Sequence, residues 1–188
     1  MDPIIDNDLY KEEDKQVVYG TVMPRFWAIV IDGFVLLPVT IPMLFLNFIY
    51  WKSVPLFIVG SIINILYKPF CEYMFGMTVG KKMMKLRVQT YDFESINVGE
   101  ALSRNIFNLL SGVLTVVLSV PLFSDPDFLK ISTVIDYTEY MQHYPILDRL
   151  NIAMFPVLMI EMVFLSTDLR RRSLHDRIAR TVVVKLSK

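Results

Sequence analysis

Long apolar stretches decide most of what this chain can become. From Phe26 to Tyr50 only Asp32 and Asn47 are strongly polar, and similar runs follow at Val54 to Phe75, Ile106 to Phe123 and about Ile146 to Thr167. A helix rises about 1.5 Å per residue and the hydrocarbon layer is roughly 30 Å thick, so runs of about 20 apolar residues read as membrane helices. The second run carries Lys68, Pro69 and Glu72 in its latter half, which predicts a bend near Pro69 and an end at the interface. The expectation is an all-α membrane protein of about four transmembrane helices.

Composition agrees. Of 188 residues, 54% are apolar and 20% charged, against about 45–50% and 25% for soluble domains. Nineteen basic residues balance nineteen acidic ones, which argues against a nucleic-acid binder relying on overall positive charge. Cys71 is the single cysteine, which excludes an internal disulfide or a cysteine cluster for zinc. The first fifteen residues are acidic and lack the basic start of a cleavable signal. An acidic cytoplasmic tail over 1–22 and a transmembrane domain over 23–188 are therefore expected.

With the N-terminus in the cytoplasm, sixteen of the nineteen Lys and Arg residues face inward, leaving Lys52, Lys130 and Arg149 outside. That bias predicts an even number of spans in the cell (inner) membrane, with both termini cytoplasmic. The outer loop, Pro121 to Pro145, is acidic. Phe128, Ile131, Ile135 and Met141 within it have a loosely helical period, so a helix lying along the surface competes with an ordinary loop.

Between the second and third runs, alternation in Leu86 to Tyr91, a polar break and the β-prone Ile96 to Val98 predict a short hairpin. Thr181 to Leu186 has the same character. Because two strands alone are marginal in water, the two regions are expected to pair, with Val88 close to Val183, in a small cytoplasmic cap built from 76–100 and 170–186. Gly76-x-x-x-Gly80-Lys81 is one residue too short between its glycines for a phosphate loop, and Lys82 stands where Ser or Thr is needed. A tight turn leaving the membrane, with Lys81 and Lys82 at the headgroups, fits better. Arg170, Arg171 and Arg172 read as an anchor on anionic headgroups of the bilayer.

Carboxylates inside apolar runs resist a bland explanation. An Asp at a helix centre costs about 2.5–3.5 kcal/mol on insertion scales, so Asp32 is expected to face protein or water. Arg25 lies seven residues earlier on nearly the same helical face, about 10 Å away along the axis. An interhelical salt bridge and a titrating cation or proton site are both open readings for Asp32, and Glu161 in the fourth run poses the same choice. Asp176 has Arg172 and Arg180 four residues away on either side. His143 and His175 fall on opposite sides of the membrane, and no nucleophile and base stand at an interpretable spacing. The expectation is a non-enzyme without a metal or cofactor.

Three blocks carry a family resemblance: Arg25-Phe-Trp-Ala28-Ile-Val-Ile-Asp32; Gly76-Met-Thr78-Val-Gly80-Lys81 with Leu86-Arg87-Val88 and Arg104-Asn105; and Arg172-Ser-Leu174-His175-Asp176-Arg177-Ile-Ala179-Arg-Thr181-Val182-Val183. In this order they resemble the RDD family of small integral membrane proteins, named for one arginine and two aspartates. By that resemblance Arg25 and Asp32 are the arginine and first aspartate, and Asp176 is assigned as the second. Arg180, where a small residue is usual, and the long outer loop depart from the pattern. The resemblance implies either transport, with sodium–proton exchange suggested for some members, or an accessory or regulatory subunit. The first expectation is a small oligomeric transporter or ion-exchange component using Asp32 with Arg25 and Glu161. The competing one is a scaffold with a membrane-protein partner, in which Arg25, Asp32 and Asp176 link the first span to the cap.

Overall fold

The computed structural model describes residues 18–145, 156, 160, 163–168 and 170–186. Its first long helix runs thirty residues, Val22–Trp51. The segment α1 (Val22–Val39) is α-helical, and Thr40–Trp51 continues it with π pitch. Pro38 and Pro42 flank this change of register, and each lacks the N–H that the α-helical ladder needs. Helix α2 (Val54–Phe75) passes through Pro69 without interruption and ends on Gly76, whose φ of +69° is the left-handed conformation that favours glycine.

Next come α3 (Val79–Met83), β1 (Leu86–Thr90), α4 (Val98–Arg104) and α5 (Ile106–Ser119), which tightens into a 3-10 turn at Val120–Ser124. Short helices α6 (Pro126–Lys130) and α7 (Val134–Gln142) follow, and the described chain closes with α8 (Leu174–Ile178) and β2 (Thr181–Lys185). Among the described residues three helices are long and apolar enough to cross a membrane: Val22–Trp51, Val54–Phe75 and Ile106–Ser124. The fourth expected run lies mostly outside the described residues, as does Glu161; residues 163–167 are helical.

Strands β1 and β2 pair antiparallel, and Val88 sits directly opposite Val183, as the sequence pattern predicts. The expected hairpin within 86–98 does not form. Asn97 instead begins α4 with a capping box: its Oδ1 accepts from the Glu100 N–H at 2.9 Å, and Glu100 Oε2 accepts from the Asn97 N–H at 2.7 Å. The Asn-x-x-Glu spacing is a helix-start signal that outweighs the β preference of Ile96 and Val98. The free edge of β2 is covered by residues assigned to the tail: the Gly20 N–H donates to the Val183 carbonyl at 2.8 Å, and the Lys185 N–H to that of Val18 at 2.7 Å. Leu86, Val88 and Val183 pack with Ala28, Ile96 and Ala101, fastening the sheet to the start of α1.

At the far end of the spans the segment after α5 is neither a plain loop nor a free surface helix. Phe128 and Ile131 are buried with Phe57, Leu122 and Phe123. Phe48 stands at the centre of this cluster, its ring 5.2 Å from that of Phe57 and 5.5 Å from that of Phe123. Lys52 donates from Nζ to the carbonyls of Leu129 and Ile131, each at 2.6 Å, tying the turn after the first long helix to α6.

Candidate functional site

Two polar centres lie where the membrane helices meet the sheet. Asp32, on the inward face of α1 four residues after buried Ala28, anchors the first. Its Oδ1 accepts from the Tyr67 hydroxyl and the Gly80 N–H, both at 2.8 Å, and its Oδ2 accepts from the Thr78 hydroxyl at 2.6 Å. Thr78 Oγ1 also caps α3 by accepting from the Lys81 N–H at 3.3 Å. A Cβ on Gly80 would overlap the Ala28 carbonyl oxygen, so only glycine lets α3 approach α1 this closely. Gly76 makes the tight turn out of α2, whereas Gly80 lies within α3 and lets that helix dock on α1, where Asp32 holds it.

The second centre is a buried chain of alternating charge. Arg25 Nη1 bonds Asp176 Oδ2 at 2.5 Å, its Nη2 reaches the Arg171 carbonyl at 2.6 Å, and its Nε reaches that of Gly20 at 3.1 Å. Arg104 joins the other oxygen of Asp176, the Thr181 hydroxyl at 2.6 Å, and Glu72 Oε2 at 3.1 Å. Glu72 in turn holds Lys81 through Oε1 and accepts from Asn105 Nδ2 at 3.1 Å. Lys81, Glu72, Arg104, Asp176 and Arg25 therefore run in one line across α3, α2, α4, α8 and α1. A buried charge is tolerable only when paired and hydrogen-bonded, and each of these is.

Burial works against the charge of Asp176, but the guanidiniums of Arg104 and Arg25 outweigh it and hold the carboxyl well below the usual carboxylate range. Burial likewise disfavours charged Arg104, and Asp176 and Glu72 more than compensate, raising it. At Lys81 burial wins over the attraction of Glu72 and brings the ammonium down to about 8.

Several expectations are corrected here. Arg25 does not converge on Asp32; it turns to Asp176. Asp176 does not pair with Arg172 or Arg180: Arg172 bonds Asp168 at 2.9 Å, while Asp176 Oδ2 accepts from the Ser173 N–H at 3.0 Å. Lys81 does not sit at an exposed surface. Successive helical residues point about 100° apart, so Lys81 enters the interior and Lys82 stays exposed. Sequence reasoning assigned no site role to Glu72 or Arg104, which occupy the middle of the charge chain. Glu72 carried the same signal as Asp32, a carboxylate inside an apolar run.

The sequence model of the RDD family matches residues 19–180. The chain belongs to the RDD family. No curated protein and no solved structure matches it. The family, together with the three long apolar helices, makes this a membrane protein. The RDD arginine and second aspartate, as assigned, thus form one ion pair, and the RDD first aspartate serves a separate centre. That aspartate also lines a cavity of about 370 Å³ between α1, α2 and α5.

Proposed function

We propose that this RDD protein is a non-catalytic membrane scaffold or regulatory subunit, whose motif residues lock a polar cap onto the spans so that the cap presents a fixed surface to a partner membrane protein or a second copy. The observation that supports this reading is the Arg25–Asp176 pair at 2.5 Å, which joins the start of the first span to the segment leading into β2. In this reading the protein has four spans in the inner membrane, the fourth leading to Arg170, with the cap and both termini in the cytoplasm by the positive-inside bias. The test is co-purification from detergent-solubilised membranes: wild type retains its partner or its second copy, and Arg25→Gln loses it while still inserting in the membrane. Retention by Arg25→Gln overturns the proposal.

A second reading, a small cation or proton exchanger, is favoured by one observation, that Asp32 lines a cavity reaching into the spans. Its carboxylate already accepts three hydrogen bonds, so a cation would share its oxygens with the Tyr67 and Thr78 hydroxyls and the Gly80 N–H. Ion-driven flux in sealed vesicles that disappears in Asp32→Asn supports exchange; absence of flux in wild type rejects it.

A further inference from the structure

Most polar groups lining the cavity between α1, α2 and α5 are hydrogen-bonded within the protein. Asp32 accepts from Tyr67, Thr78 and Gly80. Asn64 donates to the Gly60 carbonyl at 3.0 Å and accepts from Thr40 at 3.0 Å. The hydroxyls of Ser111 and Thr115 turn back to the carbonyls of Asn108 and Ser111, at 3.2 and 2.8 Å. These groups are engaged within the protein.

Three donors in the wall are different: the Ser61 hydroxyl, which forms no hydrogen bond among the described residues, the Lys68 ammonium and the Asn108 amide. Lys68, half-buried on α2, forms no hydrogen bond or ion pair among the described residues. The Asn108 amide reaches the Ile65 carbonyl only at 3.5 Å, the outer limit of a hydrogen bond. Glu72 is close enough to Lys68 to interact with it electrostatically, but its carboxylate oxygens are bonded to Lys81, Arg104 and Asn105 instead. Asp32 keeps its charge but has its oxygens engaged by Tyr67, Thr78 and Gly80, so the Lys68 ammonium and the donors beside it are left to hold an anion at their own end of the cavity.

The setting narrows the anion further. Lys68 lies seven residues before the end of α2, about 10 Å inside it, a depth from which a lysine side chain extends toward the headgroups. Ile29, Leu36, Leu44 and Ile65 supply apolar wall to the same cavity. A soluble anion has no use for that wall, whereas a lipid tail has. We infer that the cavity binds a membrane phospholipid, with its anionic phosphate held by Lys68 and Asn108 and an acyl chain against the apolar wall of α1 and α2. This site is separate from the surface lysines and arginines, and it stands whether or not the motif residues serve a scaffold.

The experiment uses the full chain, delipidated in a non-ionic detergent and titrated with phosphatidylglycerol, phosphatidylcholine or inorganic phosphate, with bound lipid counted by native mass spectrometry. Wild type is expected to bind one phosphatidylglycerol at least tenfold more tightly than phosphatidylcholine, and to show no response to millimolar phosphate. Lys68→Gln should weaken that binding at least tenfold, while Lys82→Gln, on the exposed side of α3, leaves it unchanged. Should Lys68→Gln fail to fold, Lys68→Arg is expected to keep the lipid and Asn108→Ala to weaken it. Undiminished binding in Lys68→Gln, or in Asn108→Ala where Lys68→Gln does not fold, overturns the site. Equal affinity for phosphatidylcholine overturns the preference for an anion, and equal binding of inorganic phosphate overturns the lipid as its source.

Discussion

Arg25 and Asp176 stand 151 residues apart in the chain and 2.5 Å apart in space, with Asp176 wholly inside the protein. The second guanidinium on that carboxylate, from Arg104, leaves neither oxygen without a charged donor. Removing one member strands the others in a low-dielectric interior, which costs about 3–5 kcal/mol for a buried pair. Asp176→Asn should therefore lower the thermal unfolding midpoint in detergent sharply. Lys130→Gln, on the exposed ion pair with Asp127, should cost no more than about 1 kcal/mol. Comparable losses in the two variants would contradict the central place given to Asp176.

The same carboxylate sets an acid limit. Its folded-state pKa lies well below the ordinary value because of Arg104 and Arg25, so its contribution is fully present above the unfolded pKa, about 3.9, and is lost as pH falls toward the folded one. Unfolding midpoints measured from pH 7 to pH 3 should hold steady to about pH 5 and then drop. Asp176→Asn should show a shallower acid drop from its already lower plateau.

Backbone contacts offer a test free of charge effects. Gly80→Ala drives a methyl group into the Ala28 carbonyl oxygen and should cost about 1–3 kcal/mol or more, as overpacking does. Gly33→Ala, one residue after Asp32, meets nothing within 4 Å. It should be neutral or gain up to about 1 kcal/mol from helix propensity. Circular dichroism melts of the two variants, which differ from wild type by one methyl group each, decide whether α3 is docked on α1 as described.

How far the sequence revealed this arrangement depends on the range of each signal. Apolar run length is a local property, and it located the three described spans to within a few residues. Strand alternation is also local, and with the need to cover a lone hairpin it was enough to pair Val88 with Val183. Charge pairing is not local. The seven-residue spacing of Arg25 and Asp32 suggested a shared site, yet side chains that start on one helical face can bend to different partners once other elements pack against it. Glu72 and Arg104 needed the third dimension, because nothing in their spacing of thirty-two residues shows that α2 and α4 touch. Lys81 and Lys82 look equivalent in the chain; only the docking of α3 distinguishes the buried one from the exposed one.

Lys81 permits a test at alkaline pH, where Asp176 does not change its charge. Burial holds its ammonium at about 8 against an unperturbed 10.5, so between these values the unfolded chain binds more protons than the folded one. Stability from this group accordingly rises as pH climbs through 8, is complete above about 10.5, and is lost again on return to neutral. The full span corresponds to about 3 kcal/mol. Lys81→Met removes the titration and leaves Glu72 with Arg104 and Asn105 as partners, so its unfolding midpoint should stay nearly flat over pH 7.5 to 10 while that of wild type rises relative to it. A constant difference between the two proteins across that range would mean that Lys81 keeps an ordinary ammonium, and that the end of the charge chain at α3 is open to water.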